Sequence, residues 1–379
     1  MNNAPGATKR RILIFSLAYH PHVGGAEIAL KELTDRMSDF DFHLITLRFG
    51  VEPREERVGQ VLVHRIGNGS SYLQKILFIP RAARLAAALH RLQPFDAFWA
   101  MMSYMLFPIV LLRIAGVKVP YLLTLQEGDP WEQMFTRWFI LPLRPLLSYG
   151  FRHAAVISVI STYLGEWPRR MGYRGRVEVV PNGADMERFS GSSRDAQRAR
   201  KETVLVTTSR LVHKNAVDTV IRSLPLLPDI RFRIYGTGPE EASLRALAKD
   251  LAVEERVEFC GQASHEELPD RLRDAGIFVR PSRSEGMGNA FIEAMAAGLP
   301  VIGTREGGIA DFLFDGETGW VVQKNHPQQI AAAVQDILSH PQKRVQIVEN
   351  AKKLVREKYD WDDIAERMHT LLQETCHAK

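Results

Sequence analysis

The chain has 379 residues, 45% hydrophobic and 25% charged, with a formal net charge of +5. That balance describes an ordinary soluble globular protein, and the length argues for two domains rather than one. Two widely separated cysteines, Cys260 and Cys376, exclude a disulfide framework or a cysteine zinc site and fit a reducing compartment; no apolar run reaches 18 residues, because "MLFPIVLLRIAG" is broken by Pro108 and Arg113, so no membrane span is expected.

The charge is unevenly spread. Residues 1–200 hold 26 basic against 17 acidic side chains, and residues 201–379 hold 23 against 27, so the halves carry +9 and −4. A basic first half faces an anionic substrate, an anionic membrane surface or nucleic acid, unless the charge is merely scattered and solvated. Nucleic acid would need aromatics interleaved with a basic strip, and none is evident.

At the start, "KRRILIFSLAY" has the look of a short signal peptide, but "HPHVGG" follows it without a small-residue cleavage site, so it reads as the first buried strand. Further apolar runs follow in order: "FHLITL", "VLVHRIG", "AFWAMM", "YLLTLQ", "AAVISVIS" and "VEVVPNG", then "TVLVTTS", "RFRIYGTG", "VEFCG", "GIFVRPS", "PVIGT" and "GWVVQ". Amphipathic segments of helix length separate them. Near-continuous Val/Ile/Leu runs alternating with helices predict parallel sheets covered on both faces, in two doubly wound domains. The boundaries fall at residues 1–183, a polar linker at 184–202, and 203–358, with a closing helix over 359–379. In that helix Trp361, Ile364, Met368 and Leu371 recur at three- and four-residue spacing and give one buried face. Open sheets of this kind bind ligands at the carboxyl ends of their strands.

Several clusters sit at such ends. In "YHPHVGGAE", Gly24 and Gly25 allow close backbone approach and precede a helix start that offers N–H groups to an anion, although a plain turn reads the same. His20 and His22 lack an evident third metal ligand. In "SRLVHK", Arg210 and Lys214 can clamp a diphosphate or can simply open a solvated helix. Gly236 and Gly238 flank a turn in "YGTGPE", and Gly307 and Gly308 precede a helix start in "GTREGGIAD". Asp39 and Asp41 form the one D-x-D, but they precede a strand instead of leaving one, which fits a turn. The segment "PWEQMFTRWFILPLRPLLSYGFRHA" mixes Trp, Phe and Leu with Arg137, Arg144 and Arg152, so it is either a core helix or a surface that docks on a bilayer.

The stretch "EGMGNAFIEAMAAGLP" sets Glu285 and Glu293 eight positions apart. On one helix they would lie about 80° apart around the axis and about 12 Å apart along it, which suits no single centre. The order "HVGGAE", "VVPNGADMERF", "SRLVHKNAVDTVI", "YGTGPE", "PSRSEGMGNAFIEAMAAGLPVIGT" and "GGIADFLFDGETGWVV" resembles the retaining family 4 glycosyltransferases, from about Arg11 to Arg367. The resemblance implies an α/β GT-B fold, two Rossmann-like domains facing across a cleft, the first on the acceptor side and the second binding a nucleotide sugar.

It further implies that Glu285 addresses the donor sugar and Glu293 the nucleotide ribose. The amides of Gly286, Met287, Gly288 and Asn289 then meet hydroxyls or phosphate, Arg210 and Lys214 steady the leaving diphosphate, and the helix starts near Gly25 and Gly308 add donors. Gly24, Gly236 and Gly238 complete the donor set. Family cations more often stand five or more positions apart, so Lys214 departs from the pattern. A second departure is Gln126 in "TLQEGDPW", where the family often carries histidine. The acceptor-side candidates are therefore His22, Gln126 and Asp129, the last of which could equally cap a helix. No metal and no cofactor are expected, the nucleoside-diphosphate sugar being substrate. Transfer of a hexose to a glycan or lipid-linked acceptor follows, in bacterial surface polysaccharide or glycolipid synthesis, within the cytoplasm or at the inner face of the membrane. The alternative is a nucleotide-sugar-binding homologue without activity, or a sugar-nucleotide epimerase, on the same fold.

Overall fold

The structure is a computed structural model that describes residues 9–22, 24–189 and 203–378. The chain forms two compact units, Met1–Pro181 with Trp361–Lys379, and Asn182–Asp360. Most of the anticipated linker, residues 190–202, lies outside the described residues.

In the first unit the described strands are β1 (Arg10–Phe15), β2 (Phe40–Leu47), β3 (Glu55–Val58), β4 (Val61–Ile66), β5 (Ala97–Met101), β6 (Tyr121–Leu125), β7 (Val156–Val159) and β8 (Val177–Val179). They form one sheet in the order β3-β4-β2-β1-β5-β6-β7-β8. Every pairing is parallel except that of β3 with β4. Registers such as Ile12 opposite Phe42 and Ile14 opposite Trp99 place fully buried side chains side by side, which explains the unbroken apolar runs. The sequence reading lacked β3. Its residues, "EERV", alternate between exposed and half-buried positions on a sheet edge, so they carry no apolar signal.

The closing helix spans Trp361–His377 and belongs to this first unit. Trp361, Ile364, Met368 and Leu371 are each at most 4% exposed and share a core with Leu30 and Leu33 of the helix Gly25–Arg36. Ion pairs from Arg36 to Asp362 (2.7 Å) and from Arg176 to Glu374 (2.6 Å) flank that core.

In the second unit the described strands are β9 (Val204–Thr208), β10 (Arg231–Tyr235), β11 (Val257–Gly261), β12 (Ile277–Arg280), β13 (Val301–Gly303) and β14 (Trp320–Val321). All pair in parallel, in the order β11-β10-β9-β12-β13-β14. The chain winds outward from β9 in one direction and from β12 in the other. That reversal makes the β9/β12 junction the switch point of the sheet, where loops leaving adjacent strands diverge and leave a crevice at their carboxyl ends.

Candidate functional site

The carboxyl ends of β9 and β12, and the first residues beyond them, carry the buried polar side-chain atoms of the second unit that lack partners among the described residues. Among the described residues, the buried side-chain atoms of this unit without a hydrogen bond are Thr207 Oγ1, Thr208 Oγ1, Ser209 Oγ, Arg280 Nε and Ser282 Oγ. All lie on the last turn of β9 or β12 or just beyond it. A buried polar group without a partner costs free energy, so such groups gathered at one crevice mark a place where a polar ligand restores what folding leaves unmet.

Glu285 stands in the loop after β12. Its carboxylate Oε2 accepts from Arg280 Nη2 at 2.6 Å, and Arg280 Nη1 donates to the Thr208 carbonyl at 3.1 Å. The backbone of Glu285 is held from behind: the Gly308 amide donates to its carbonyl oxygen at 3.2 Å, and a Cβ at Gly307, whose φ is +58°, would lie 1.8 Å from that oxygen. Gly308 therefore spends its amide inside the protein, on a short 3-10 segment, Gly307–Asp311.

Gly286 to Asn289 lead into the helix Asn289–Ala296, with Gly288 in the left-handed region at φ +97° as its N-cap. None of these four amides donates to another group among the described residues, so the anticipated donors at this helix start are available. The loop is anchored through Asn182, whose backbone N–H donates to Met287 Sδ at 3.2 Å and whose side-chain amide donates to Asn289 Oδ1 at 3.1 Å. The "PNGAD" and "EGMGN" motifs thus meet.

Glu293 lies one turn into that helix and is 8% exposed. Burial pushes its carboxyl up to about 7, against the opposing pull of the Arg280 and Arg188 guanidinium groups.

Arg210 follows β9, is exposed, and its guanidinium makes no hydrogen bond or ion pair with another described residue. Lys214 is half-buried, in a 3-10 turn at His213–Asn215. Its carbonyl oxygen accepts from the Arg283 amide at 2.6 Å. The Arg283 side chain donates to Asp218 with both Nη atoms, at 2.9 and 2.7 Å, to the His213 carbonyl at 2.6 Å and to Asn325 Oδ1 at 2.7 Å. This residue rivets the Lys214 loop to the Glu285 loop, and the sequence reading did not single it out.

Two expected donor glycines meet the protein's own backbone. A Cβ at Gly236, where φ is +145°, would lie 1.9 Å from the Ser209 carbonyl oxygen, and one at Gly238 would lie 2.3 Å from that of Leu211. Glycine is required there because the backbone after β9 runs against the backbone after β10, with Leu211 N–H donating to the Thr237 carbonyl at 2.9 Å. The close approach is protein to protein, which accounts for glycine at both positions.

In the first unit, the Gly24 amide donates to Glu27 Oε2 at 2.8 Å, which closes the N-terminal end of the helix Gly25–Arg36 locally. The Gly25 amide has no such partner among the described residues. His22 pairs with Glu52 at 2.6 Å, and its ring lies 5.0 Å from that of Phe49, tilted by 59°. Gln126 and Asp129 are half-buried after β6; Pro130, not Asp129, occupies the N-cap of the helix Trp131–Phe135. Between them Glu127 is 1% exposed, accepts from the Ser103 amide at 2.6 Å, and is pushed up by burial. No group of three His, Cys, Asp or Glu side chains among the described residues could hold a metal ion.

Comparisons with known proteins bear on this geometry. Residues 191–354 match the family described as glycosyl transferases group 1, and residues 24–183 match the glycosyl transferase 4-like domain. A GDP-mannose-dependent alpha-(1-6)-phosphatidylinositol monomannoside mannosyltransferase of Mycolicibacterium smegmatis is 32% identical over 261 residues, 64% of this chain and 68% of that one. Among solved structures, sucrose-phosphate synthase from Thermosynechococcus elongatus superposes with a TM-score of 0.86 at 20% identity, covering 98% of this chain and 100% of that one. The Anabaena HepE protein in complex with UDP and glucose gives 0.79 at 19%, covering 96% and 99%. At such identities these two structures establish the fold alone.

Proposed function

The chain belongs to the family 4 glycosyltransferases of GT-B fold, and we propose that it is a retaining, metal-independent hexosyltransferase that draws on a nucleoside-diphosphate sugar. The acceptor in this reading is a glycan or a lipid-linked glycan, in bacterial surface polysaccharide or glycolipid synthesis. The observation that carries the proposal is the β9/β12 crevice: unmet polar groups, free amides before a helix, and two carboxylates in different surroundings. The matched mycolicibacterial enzyme uses GDP-mannose and the matched HepE structure holds UDP, which supports a nucleotide-sugar donor without choosing the base.

In this site Glu285, held by Arg280, receives hydroxyls of the sugar, and Glu293 receives those of the ribose. Neither works as the paired acid and nucleophile of a glycosidase, whose two carboxyls act across one bond. The nucleoside diphosphate leaves readily once its developing charge is met, which Arg210, Lys214 and the amides of Gly286 to Asn289 can do. The bond from the anomeric carbon to the phosphate oxygen breaks, the bond to the acceptor oxygen forms on the same face, and the departing phosphate oxygen takes the acceptor's proton.

The test is incubation with a panel of UDP-, GDP- and ADP-sugars, with and without extracted lipid or glycan acceptors, reading nucleoside diphosphate release. Acceptor-dependent release supports the proposal. Binding without release would leave a nucleotide-sugar binder, and a trapped sugar adduct on Glu285 would replace the same-face route by a two-step one.

The first unit carries the membrane part of the reading. Within "PWEQMFTRWFILPLRPLLSYGFRHA", Trp131, Phe135, Leu147 and Phe151 are buried, while Trp138 (82% exposed), Leu141, Leu143 and Leu146 face out. The segment is thus both core and surface. Through a ring contact between Phe139 and Tyr72, its outward face continues into exposed Tyr72, Leu73 and Ile76. Lys75, Arg137 and Arg144 stand among these residues, a combination suited to an anionic bilayer. No helix among the described residues is long and apolar enough to cross a membrane.

A further inference from the structure

We propose that Arg280 is the positioning residue of the donor site, one buried guanidinium that orients the Glu285 carboxylate. The proposal rests on the reading of Glu285 and Glu293 as the two donor-facing carboxylates.

Three elements fix this side chain. It leaves the last residue of β12 and is 7% exposed. Nη1 reaches across to the carbonyl oxygen of Thr208 at the end of β9, and Nη2 holds Glu285 at 2.6 Å. Its Cζ lies 5.0 Å from the ring centroid of Phe291, a fully buried residue of the helix that also carries Glu293. Strand, neighbouring strand and helix together leave the fork one orientation, and a fork is needed. A lysine is a single point charge and cannot serve the Thr208 carbonyl and Glu285 along two fixed directions at once.

Glu285 depends on it. The Glu285 side chain makes no other hydrogen bond or ion pair among the described residues, so nothing else on the protein sets the direction of its carboxylate. A sugar hydroxyl bound by Glu285 meets an acceptor already aimed, which is where positioning acts on rate instead of on affinity for the nucleotide.

The test compares the full chain with Arg280→Met, Arg280→Lys, Glu285→Gln and the double variant Arg280→Met/Glu285→Gln. Two quantities are read: nucleoside diphosphate release at saturating donor, and calorimetric Kd for bare UDP and GDP beside the intact donor sugars. Arg280→Met should lower kcat by about 10²-fold, while the Kd for the preferred bare diphosphate stays within about threefold. In the Glu285→Gln background the same substitution should add less than about threefold, and Arg280→Lys should recover part of the loss. Should Arg280→Met alone fail to fold, the double variant, which carries neither charge, is compared with Glu285→Gln, and the two should match. Additive losses, or a diphosphate affinity that falls as far as the rate, would make Arg280 merely structural and overturn the proposal. A wild-type chain that binds no diphosphate would remove the donor site itself. One that binds but does not turn over keeps the test alive through the affinity ratio of intact donor to diphosphate, which Arg280→Met must reduce.

Discussion

Replacing Glu293 by glutamine should change the pH dependence of stability by an amount that follows from its burial. The carboxyl sits inside the helix Asn289–Ala296, and burial raises it from 4.5 to about 7, with Arg280 and Arg188 pulling the other way. A raised acid binds its proton more tightly folded than unfolded. It therefore contributes stability that is fully present below pH 4.5 and is lost as the pH climbs through 7. A rise of that size amounts to about 3 kcal/mol over the whole range, most of which falls between pH 5 and pH 8. Glutamine keeps the shape and carries no proton, so urea unfolding of both proteins at the two pH values isolates the term. The wild type should lose about 2–3 kcal/mol relative to Glu293→Gln on going from pH 5 to pH 8. A difference that stays flat across this window would show that the carboxylate is solvated or already fully compensated, and the donor-site electrostatics would have to be redrawn. Adding nucleoside diphosphate should shrink the pH 8 penalty, because ribose hydroxyls donating to the carboxylate favour its charged form.

Other consequences are simpler to state. Arg210→Ala should lower kcat by about 10²-fold if the guanidinium meets charge developing on the departing phosphate, with the circular dichroism melt unchanged because the side chain is exposed; an unaltered rate removes it from the site. A chelator should leave transfer intact, and its abolition would reinstate a metal. Gly236→Ala should destabilise the second unit by about 1–3 kcal/mol, since φ is +145° there and the new methyl would lie 1.9 Å from the Ser209 carbonyl oxygen; a urea midpoint equal to wild type would contradict the loop packing. Paired serine substitutions at Trp138 and Leu141 should weaken flotation with vesicles containing phosphatidylglycerol, whereas equal flotation with neutral vesicles would argue against an electrostatic component.

The parallel sheets were legible because each buried strand had to be apolar on both faces, as in "RILIF" and "GIFV". The edge strand Glu55–Val58 was not, because its pairing with β4 comes from register and turn geometry while its side chains meet water. At the site, the glutamates and the glycine-rich loop between them stood out through their spacing. Arg280 did not, since a single cation closing an apolar run reads the same whether it turns outward or folds back under its neighbours. Asn182 was quoted as part of a motif, yet its two bonds to Met287 and Asn289 join residues more than a hundred positions apart. Gly236 and Gly238 show the converse: a glycine records that something comes close, and the pattern cannot say whether that is a ligand, the next loop or both.

The arrangement of the second unit also explains why a spacing unsuited to one centre suits this one. Were residues 285–293 a continuous helix, both carboxylates would ride on one rigid element and their separation would be fixed by helical geometry alone. Gly288, in the left-handed region, ends the loop and starts the helix, so Glu285 is placed by β12 and Glu293 by the helix, independently. Independence carries an electrostatic cost, because two carboxylates must then be held within reach of one crevice. Arg280 meets that cost from beneath, while the unbonded amides of Gly286 to Asn289 lie in the loop between them. The glutamates are thereby separated in backbone and coupled in charge, which suits the proposed donor, with a hexose at one end, a ribose at the other and phosphates between.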